Sequence, residues 1–561
     1  MLAATVILIE VVAMSKPLRH VLAVMVMVMV VVFSFAIAPG TVRAADTGAI
    51  TVDGKVATRY DAYQLFSATV VDDADADQKV ATDVTWANDA VRHAVLPVLH
   101  NAGLDDSAST AQEAAEWMNA DGYMMTTLAA KIARAVVKAG AVPVPLNAGT
   151  AAELPCGYWL IVADDDAIDQ NEAGTAPIMA LVGGSPVTVK PKAATPKVQK
   201  HVLEDSAAAW QKAADATVAD DLYWRLSATV PAGLTAYDTY AVQFVDTMSA
   251  GLDPSKVAAS MRVYAAAGVD GGFDAVSTGR DGRAGTEPAQ GWTDITARCV
   301  VSVEGSSFTV RTGDLIAALG GADAFTAGAR VVAVYSAPLG ANCNRGASKG
   351  NPNEAYLRYP RSPFADQSGD AGFTRTPSDD ATAYTWGLSL IKRSNSDDKP
   401  LAGAKLRITD DRGRTLAADG TWTTDTDAYV VSGEGGRVEL NGVDAGVYTV
   451  EEVAPPKGYT AFEGKRTVTI AADGLDVKQV AAAKPKITVS AESPLRVDTA
   501  DAGTGSIELS VLNAPSKEAS RGFMPSTGDR TLVLVAVLAA IGVAAIVAAL
   551  VIKRGGGRRD K

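Results

Sequence analysis

The sequence predicts a mainly β protein built as tandem Ig-like β-sandwich domains, with some helix confined to the first of them. Three observations carry this expectation. Short runs of alternating apolar and polar residues recur from Ala49 to Ala514, separated by turns rich in Gly, Pro and Asp, and the 561 residues include 50 glycines. The clearest helical spacing falls between Ser109 and Lys138. Beyond that stretch the strand-like runs are not interleaved with helical ones, which argues for sandwiches rather than doubly wound sheets.

Taken in order, a first domain over residues 45–190 opens on the alternating run Ala49-Ile50-Thr51-Val52. Ser109 and Thr110 cap a helix over Ala111–Met118, and a second helix runs over Thr126–Lys138. Gly157–Val162 reads as a buried strand. Two prolines among small residues in Lys190-Pro191-Lys192-Ala193-Ala194-Thr195-Pro196 mark an interdomain linker. A middle domain over 191–366 carries strands at Leu222–Val230, Thr239–Val245, Ser307–Thr312, Ala329–Tyr335 and Ala355–Tyr359. The polar, Pro-, Gly- and Asp-rich stretch that follows is read as a linker over 367–385, and a third domain, strand and turn throughout, occupies 386–515.

Both ends read as export signals. Lys16 and Arg19 precede an apolar stretch from Val21 to Ala38, and Val42-Arg43-Ala44 suits a signal peptidase, so residues 1–44 are expected to be removed, with Met14 a plausible true start. At the other end a linker over 516–530 carries Met524-Pro525-Ser526-Thr527-Gly528. An apolar helix over 531–552 is long enough to cross a bilayer, and the tail at 553–561 is basic. This tripartite end resembles the LPxTG-like sorting signal of Gram-positive surface proteins, with Met524 in place of the usual Leu. The resemblance implies sortase cleavage between Thr527 and Gly528 and a transient membrane anchor.

Composition narrows the function. A net charge of −13 argues against nucleic acid or an anionic membrane as partner. Four histidines and three cysteines make a zinc site improbable, and no cofactor is called for. Asp73, Asp75 and Asp77 lack the glycine and terminal Glu of a calcium loop, and Asp46-Thr47-Gly48 has no second copy, so neither is read as a site. At most one disulfide can form, with Cys299 and Cys343 the candidate pair and Cys156 left over.

The chemistry concentrates in three stretches of the third domain: Leu388-Ser389-Leu390-Ile391-Lys392, Tyr448 to Tyr459, and Ile507 to Pro515. The second of these fits Y-x-L-x-E-x-x-x-P-x-G-Y at Tyr448, Glu452, Pro456, Gly458 and Tyr459, with Val450 for Leu. In this order they resemble the collagen-adhesin B-type domain of Gram-positive pilins. The resemblance implies an isopeptide bond between Lys392 and Asn513, promoted by Glu452. Burial lowers a lysine pKa and raises a carboxyl pKa, which yields a neutral nucleophile beside a protonated acid. Taken singly, each residue reads equally as an exposed lysine, a surface glutamate and a turn asparagine.

The middle domain resembles that of sortase-assembled shaft pilins through Tyr240–Ser249, Val331–Ala337 and Asn351–Leu357. There the resemblance implies Lys200 as nucleophile and Asp246 as acid. The family's Asn is absent after Tyr359, where Pro360 follows, and Asn353 is the nearest alternative. Val187-Thr188-Val189-Lys190-Pro191-Lys192 partly matches the family's pilin motif, lacking its Trp, Tyr and final Asn. It makes Lys192 the expected acceptor in polymerisation, with Lys190 second. The implied protein is a major pilin, a structural subunit and not an enzyme with turnover. Its implied partners are pilus-type and housekeeping sortases, other copies of itself, tip and base pilins, wall peptidoglycan and host surface ligands. A monomeric wall-anchored adhesin, or a pilus base or tip subunit, is the alternative.

Overall fold

The computed structural model describes residues 46–516, apart from 55, 74–77, 121–124, 169–170, 192–194, 233, 269–290, 326–327 and 366. The sorting motif, the apolar run after it, the signal segment and Lys192 therefore lie outside the described residues. No helix among the described residues is long and apolar enough to cross a membrane.

The described chain is mainly β, as expected. In the first domain Thr47–Val52 pairs with Ala152–Pro155 and, in parallel, with Val187–Val189. A second sheet runs in the order Gln78–Trp86, Arg59–Asp73, Gly157–Ala163, Ile178–Val182. Three helices pack on it. The helix Ala111–Ala120 starts where a capping box predicts: the Glu113 amide donates to Thr110 Oγ1 at 3.2 Å and the Thr110 amide donates back to Glu113 Oε2 at 2.9 Å. The helix Asp89–Ala102 is an addition to the sequence reading. Pro97 inside it masks its signal, yet Asn88 caps it at Val91 N (2.9 Å) and Gly103 ends it at φ 116°.

The middle domain is a sandwich of a six-stranded and a seven-stranded sheet over one core that includes Trp224, Phe244, Phe308 and Tyr335. The first sheet contains Lys197–Glu204 and Ala329–Ser336, and the second contains Gln243–Met248 and Asn351–Pro360. Two expectations are corrected here. The segment read as a linker over 367–385 instead supplies strands Phe373–Arg375 and Asp379–Tyr384, both paired with Asn351–Pro360. Its acidic start concealed a strand whose inward positions are the small, fully buried Ala381 and Ala383. The middle domain therefore runs to Tyr384, directly against Trp386. Cys299 and Cys343 form no bridge and are free. Cys299 precedes the strand Val300–Glu304, whose hairpin partner Arg311 lies opposite Gln243. Cys343 lies against Gly251, beyond Met248 at the far end of that Gln243–Met248 strand. Six residues of strand span roughly 17 Å, whereas bridged cysteines need Cα atoms within about 7 Å.

The third domain is again a sandwich. Trp386–Ser394 runs parallel to Ser506–Pro515, the first and last strands side by side, and Gly446–Ala454 lies in the other sheet. Contacts fix the second and third domains together. Trp386 Nε1 donates to Asp215 Oδ2 at 2.6 Å, and Arg414 donates to both oxygens of Asp220 at 2.7 Å.

Candidate functional site

Side chains alternate between the two faces of a strand, and this period places every candidate group inside. Lys392 shares its inward face with Leu388 and Leu390, Glu452 with Tyr448 and Val450, and Asn513 with Leu509 and Val511. Lys392 and Asn513 stand on neighbouring parallel strands, with Ser394 opposite Asn513, and Glu452 reaches them from the facing sheet.

The three groups meet in a dry pocket. Both the Lys392 and Glu452 side chains are 0% exposed. Lys392 Nζ donates to Asn513 Oδ1 in a short contact and to the Val511 carbonyl at 2.9 Å, and lies 3.6 Å from Glu452 Oε1. Asn513 Nδ2 donates to Glu452 Oε1 at 2.8 Å and to Oε2 at 2.9 Å. The Phe462 amide holds Glu452 Oε2 at 3.0 Å. Burial pulls the Lys392 amine down to about 8 against the upward pull of Glu452. An amine this easily neutralised touches one end of a carboxamide, and a carboxyl group covers the nitrogen that would leave.

A pH dependence follows for the chain before any bond forms. About 1% of Lys392 is neutral at pH 6 and about half at pH 8. Should Lys392 and Asn513 join in freshly refolded chain, the reaction is therefore expected to quicken about fiftyfold in all from pH 6 to pH 8 and to level off above, followed by mass spectrometry of quenched samples. Because the folded-state value lies below the 10.5 of the free side chain, the unfolded chain binds more protons between them. The unbonded fold is thus expected to gain stability as pH rises from 8 to 10.5.

The middle domain assembles a similar set across its two sheets. Lys200 alternates inward with Val198 and Val202, Asp246 with Phe244 and Met248, and Asn353 with Ala355 and Leu357. Asn353 lies opposite Met248 and Asp246 opposite Ala355, so the two are diagonal neighbours on one face. Lys200, Asp246 and Asn353 are all 0% exposed. Lys200 Nζ makes a short contact with Asp246 Oδ2 and donates to Tyr335 Oη at 2.8 Å. Tyr335 donates to Asp246 Oδ2 at 2.8 Å and accepts from Asn353 Nδ2 at 2.9 Å. Among the described residues, Asp246 Oδ1 and Asn353 Oδ1 are buried without a hydrogen-bond partner. Burial lowers the Lys200 amine, opposed by Asp246 and assisted by Lys212; burial likewise raises the Asp246 carboxyl, opposed by Lys200. Behind them Lys212 Nζ donates to the Lys200 carbonyl at 2.7 Å and to Asp379 Oδ2 at 2.5 Å.

The strand Asn351–Pro360 begins four residues before the predicted Ala355, which is how Asn353 enters the cluster. Sequence reasoning missed Tyr335 as a polar participant and missed the Lys212–Asp379 pair. The signal for Tyr335 was its inward parity with Val331 and Ala333 in a strand otherwise free of polar groups on that face. Of the candidate acceptors, Lys190 is exposed at the end of Val187–Val189, 3.7 Å from Asp53 Oδ2.

Residues 387–484 match the family described as the SpaA prealbumin-like fold domain. That match begins one residue after Trp386 and includes Lys392 and Glu452 of the prealbumin-like domain, while Asn513 lies beyond it. No curated protein matches the chain. Among solved structures the chain is similar to the T6 backbone pilin of serotype M6 Streptococcus pyogenes, at 13% identity and TM-score 0.45, over 86% of this chain and 100% of that one. It is similar also to the full-length major pilin SpaD of Corynebacterium diphtheriae, at 13% identity and TM-score 0.41, over 84% and 98%. A third is BcpA, the major pilin subunit of Bacillus cereus, at 13% identity and TM-score 0.37, over 84% and 99%. Likenesses at this level of identity and superposition assign no residue a role.

Proposed function

We propose that the chain is the shaft subunit of a covalent cell-surface pilus, stiffened by two internal isopeptide bonds, Lys392–Asn513 and Lys200–Asn353. The observation that supports this reading is the recurrence, in two successive sandwiches, of a buried lysine, acid and asparagine, in direct contact in the third domain and joined through the Tyr335 hydroxyl in the middle one. Burying a lysine without water costs several kcal/mol per ion, which a covalent amide removes. Each bond forms once, expels one ammonia and is not turned over. Fold-enforced contact supplies the effective concentration that lets an amine displace a carboxamide.

In this reading a sortase cleaves after Thr527 and joins its carbonyl to Lys192 of the next subunit, and a housekeeping sortase finally attaches the polymer to peptidoglycan. Joining one end to a different surface of the next copy produces an open filament. An SDS gel of boiled wall extract, comparing wild type with Lys192→Ala, tests it. The expected result is a high-mass ladder that collapses to monomer in the variant. A ladder that persists moves the acceptor to a neighbour such as Lys190. Monomer in both strains overturns the polymer and leaves an anchored adhesin.

A further inference from the structure

The two clusters differ in how the acid reaches the amide. In the third domain Glu452 touches Asn513 Nδ2 directly with both oxygens. In the middle domain the acid is Asp246, one methylene shorter. Its Oδ2 meets Lys200 and Tyr335, and the Asn353 nitrogen donates to Tyr335. A phenolic oxygen has one hydrogen and two lone pairs. At Tyr335 all three are used, one each on Asp246, Lys200 and Asn353. The ring is fully buried and held edge-on by Phe308, 4.7 Å between centroids, so the hydroxyl has little freedom to leave that position.

We propose that Tyr335 is a catalytic residue of the Lys200–Asn353 reaction, relaying a proton from Asp246 to the departing amide nitrogen. The inference rests on the reading of the middle domain as bond-forming. In the step, Lys200 begins as a neutral amine and Asp246 as a carboxylic acid. The amine lone pair attacks Asn353 Cγ and forms the new C–N bond. Tyr335 gives its proton to Nδ2 and takes the proton of Asp246, the Cγ–Nδ2 bond breaks, and ammonia leaves. The Asp246 carboxylate then collects the proton of the new amide nitrogen. One secondary amide and one ammonia result, and Tyr335 and Asp246 return to their starting forms. Tyrosine thereby extends the short acid to the reach that Glu452 has alone.

Tyr335→Phe keeps the ring and removes the hydroxyl. The readout is the branched tryptic peptide joining Lys200 to Asn353, quantified over time in the refolded full chain, with the Lys392–Asn513 peptide as internal standard. A general acid contributes about 10²–10⁴ in rate, so the Lys200–Asn353 peptide is expected to form at least about a hundredfold more slowly while the other forms normally. As a second variant that leaves the packing in place, 3-fluorotyrosine at position 335, nearly isosteric and more acidic, is expected to change the rate severalfold. A Phe variant that bonds at the wild-type rate, or a fluorinated chain with unchanged rate, overturns the relay and leaves the bond reading intact. A wild-type chain that lacks the Lys200–Asn353 peptide overturns both.

Discussion

Replacing Glu452 by alanine is expected to leave Lys392 and Asn513 unjoined and to lower the melting temperature of the third domain by about 10–20 °C. The bond would close a loop between residues 121 apart in sequence. By analogy with a disulfide, a loop of that length removes about 4.7 kcal/mol of unfolded-state entropy. Its location raises the effect further, because the first and last strands of the domain lie side by side, so the cross-link ties the ends of the fold. Without it the Lys392 amine remains buried, and the variant has also lost the Glu452 carboxyl that opposes the downward pull of burial. The unjoined amine therefore stays in the core without its acidic partner, at a cost to stability. Calorimetry of wild type and Glu452→Ala, with peptide mapping to verify the missing bond, checks this. An unchanged melting temperature together with a missing bond would contradict the mechanical role.

Lys200→Met is the second substitution with a large expected effect. It removes the middle cross-link, which would join one sheet of the sandwich to the other, and it strands Asp246 in a site that is 0% exposed. A buried polar group left without its partner costs about 1–3 kcal/mol, beyond the lost cross-link. The double variant Lys200→Met/Asp246→Asn replaces the unpaired buried acid by a neutral group of the same size and leaves the bond missing. It is expected to stay below wild type. Full recovery to wild-type stability would mean that no covalent bond existed to lose.

Much of this was legible in the sequence because strand periodicity is simple. Lys392, Glu452 and Asn513 each occupy a position where two-residue alternation calls for an apolar side chain, and Lys200 and Asp246 do the same. A lysine in an apolar register is informative, since it must be paired, neutral or bonded. The resemblance of Tyr448 to Tyr459 to the pilin motif then implied Glu452 as the acid. Asn353 was harder, because Pro352 beside it lacks an amide hydrogen and suggests that the strand has not yet begun. The strand accommodates it: Pro352 is exposed, and its carbonyl accepts from the Ser249 amide at 2.9 Å.

What was not legible depends on contacts between distant segments. Asp379–Tyr384 reads as a loop by composition, and only its neighbours Asn351–Pro360 and Ala213–Asp215 make it a strand. Tyr335 reads as one more core aromatic until the positions of Lys200, Asp246 and Asn353 are known. The cysteine pairing failed for a related reason. Sharing a domain says nothing about which end of a strand a residue occupies, and the hairpin register separates Cys299 from Cys343.

The most direct test of the account is a tryptic map of the wild-type protein by mass spectrometry. The account predicts two branched peptides, joined through Lys392–Asn513 and Lys200–Asn353, each lighter by one ammonia than the sum of its linear halves. Linear peptides carrying intact Lys392, Asn513, Lys200 and Asn353 as the dominant species would contradict it.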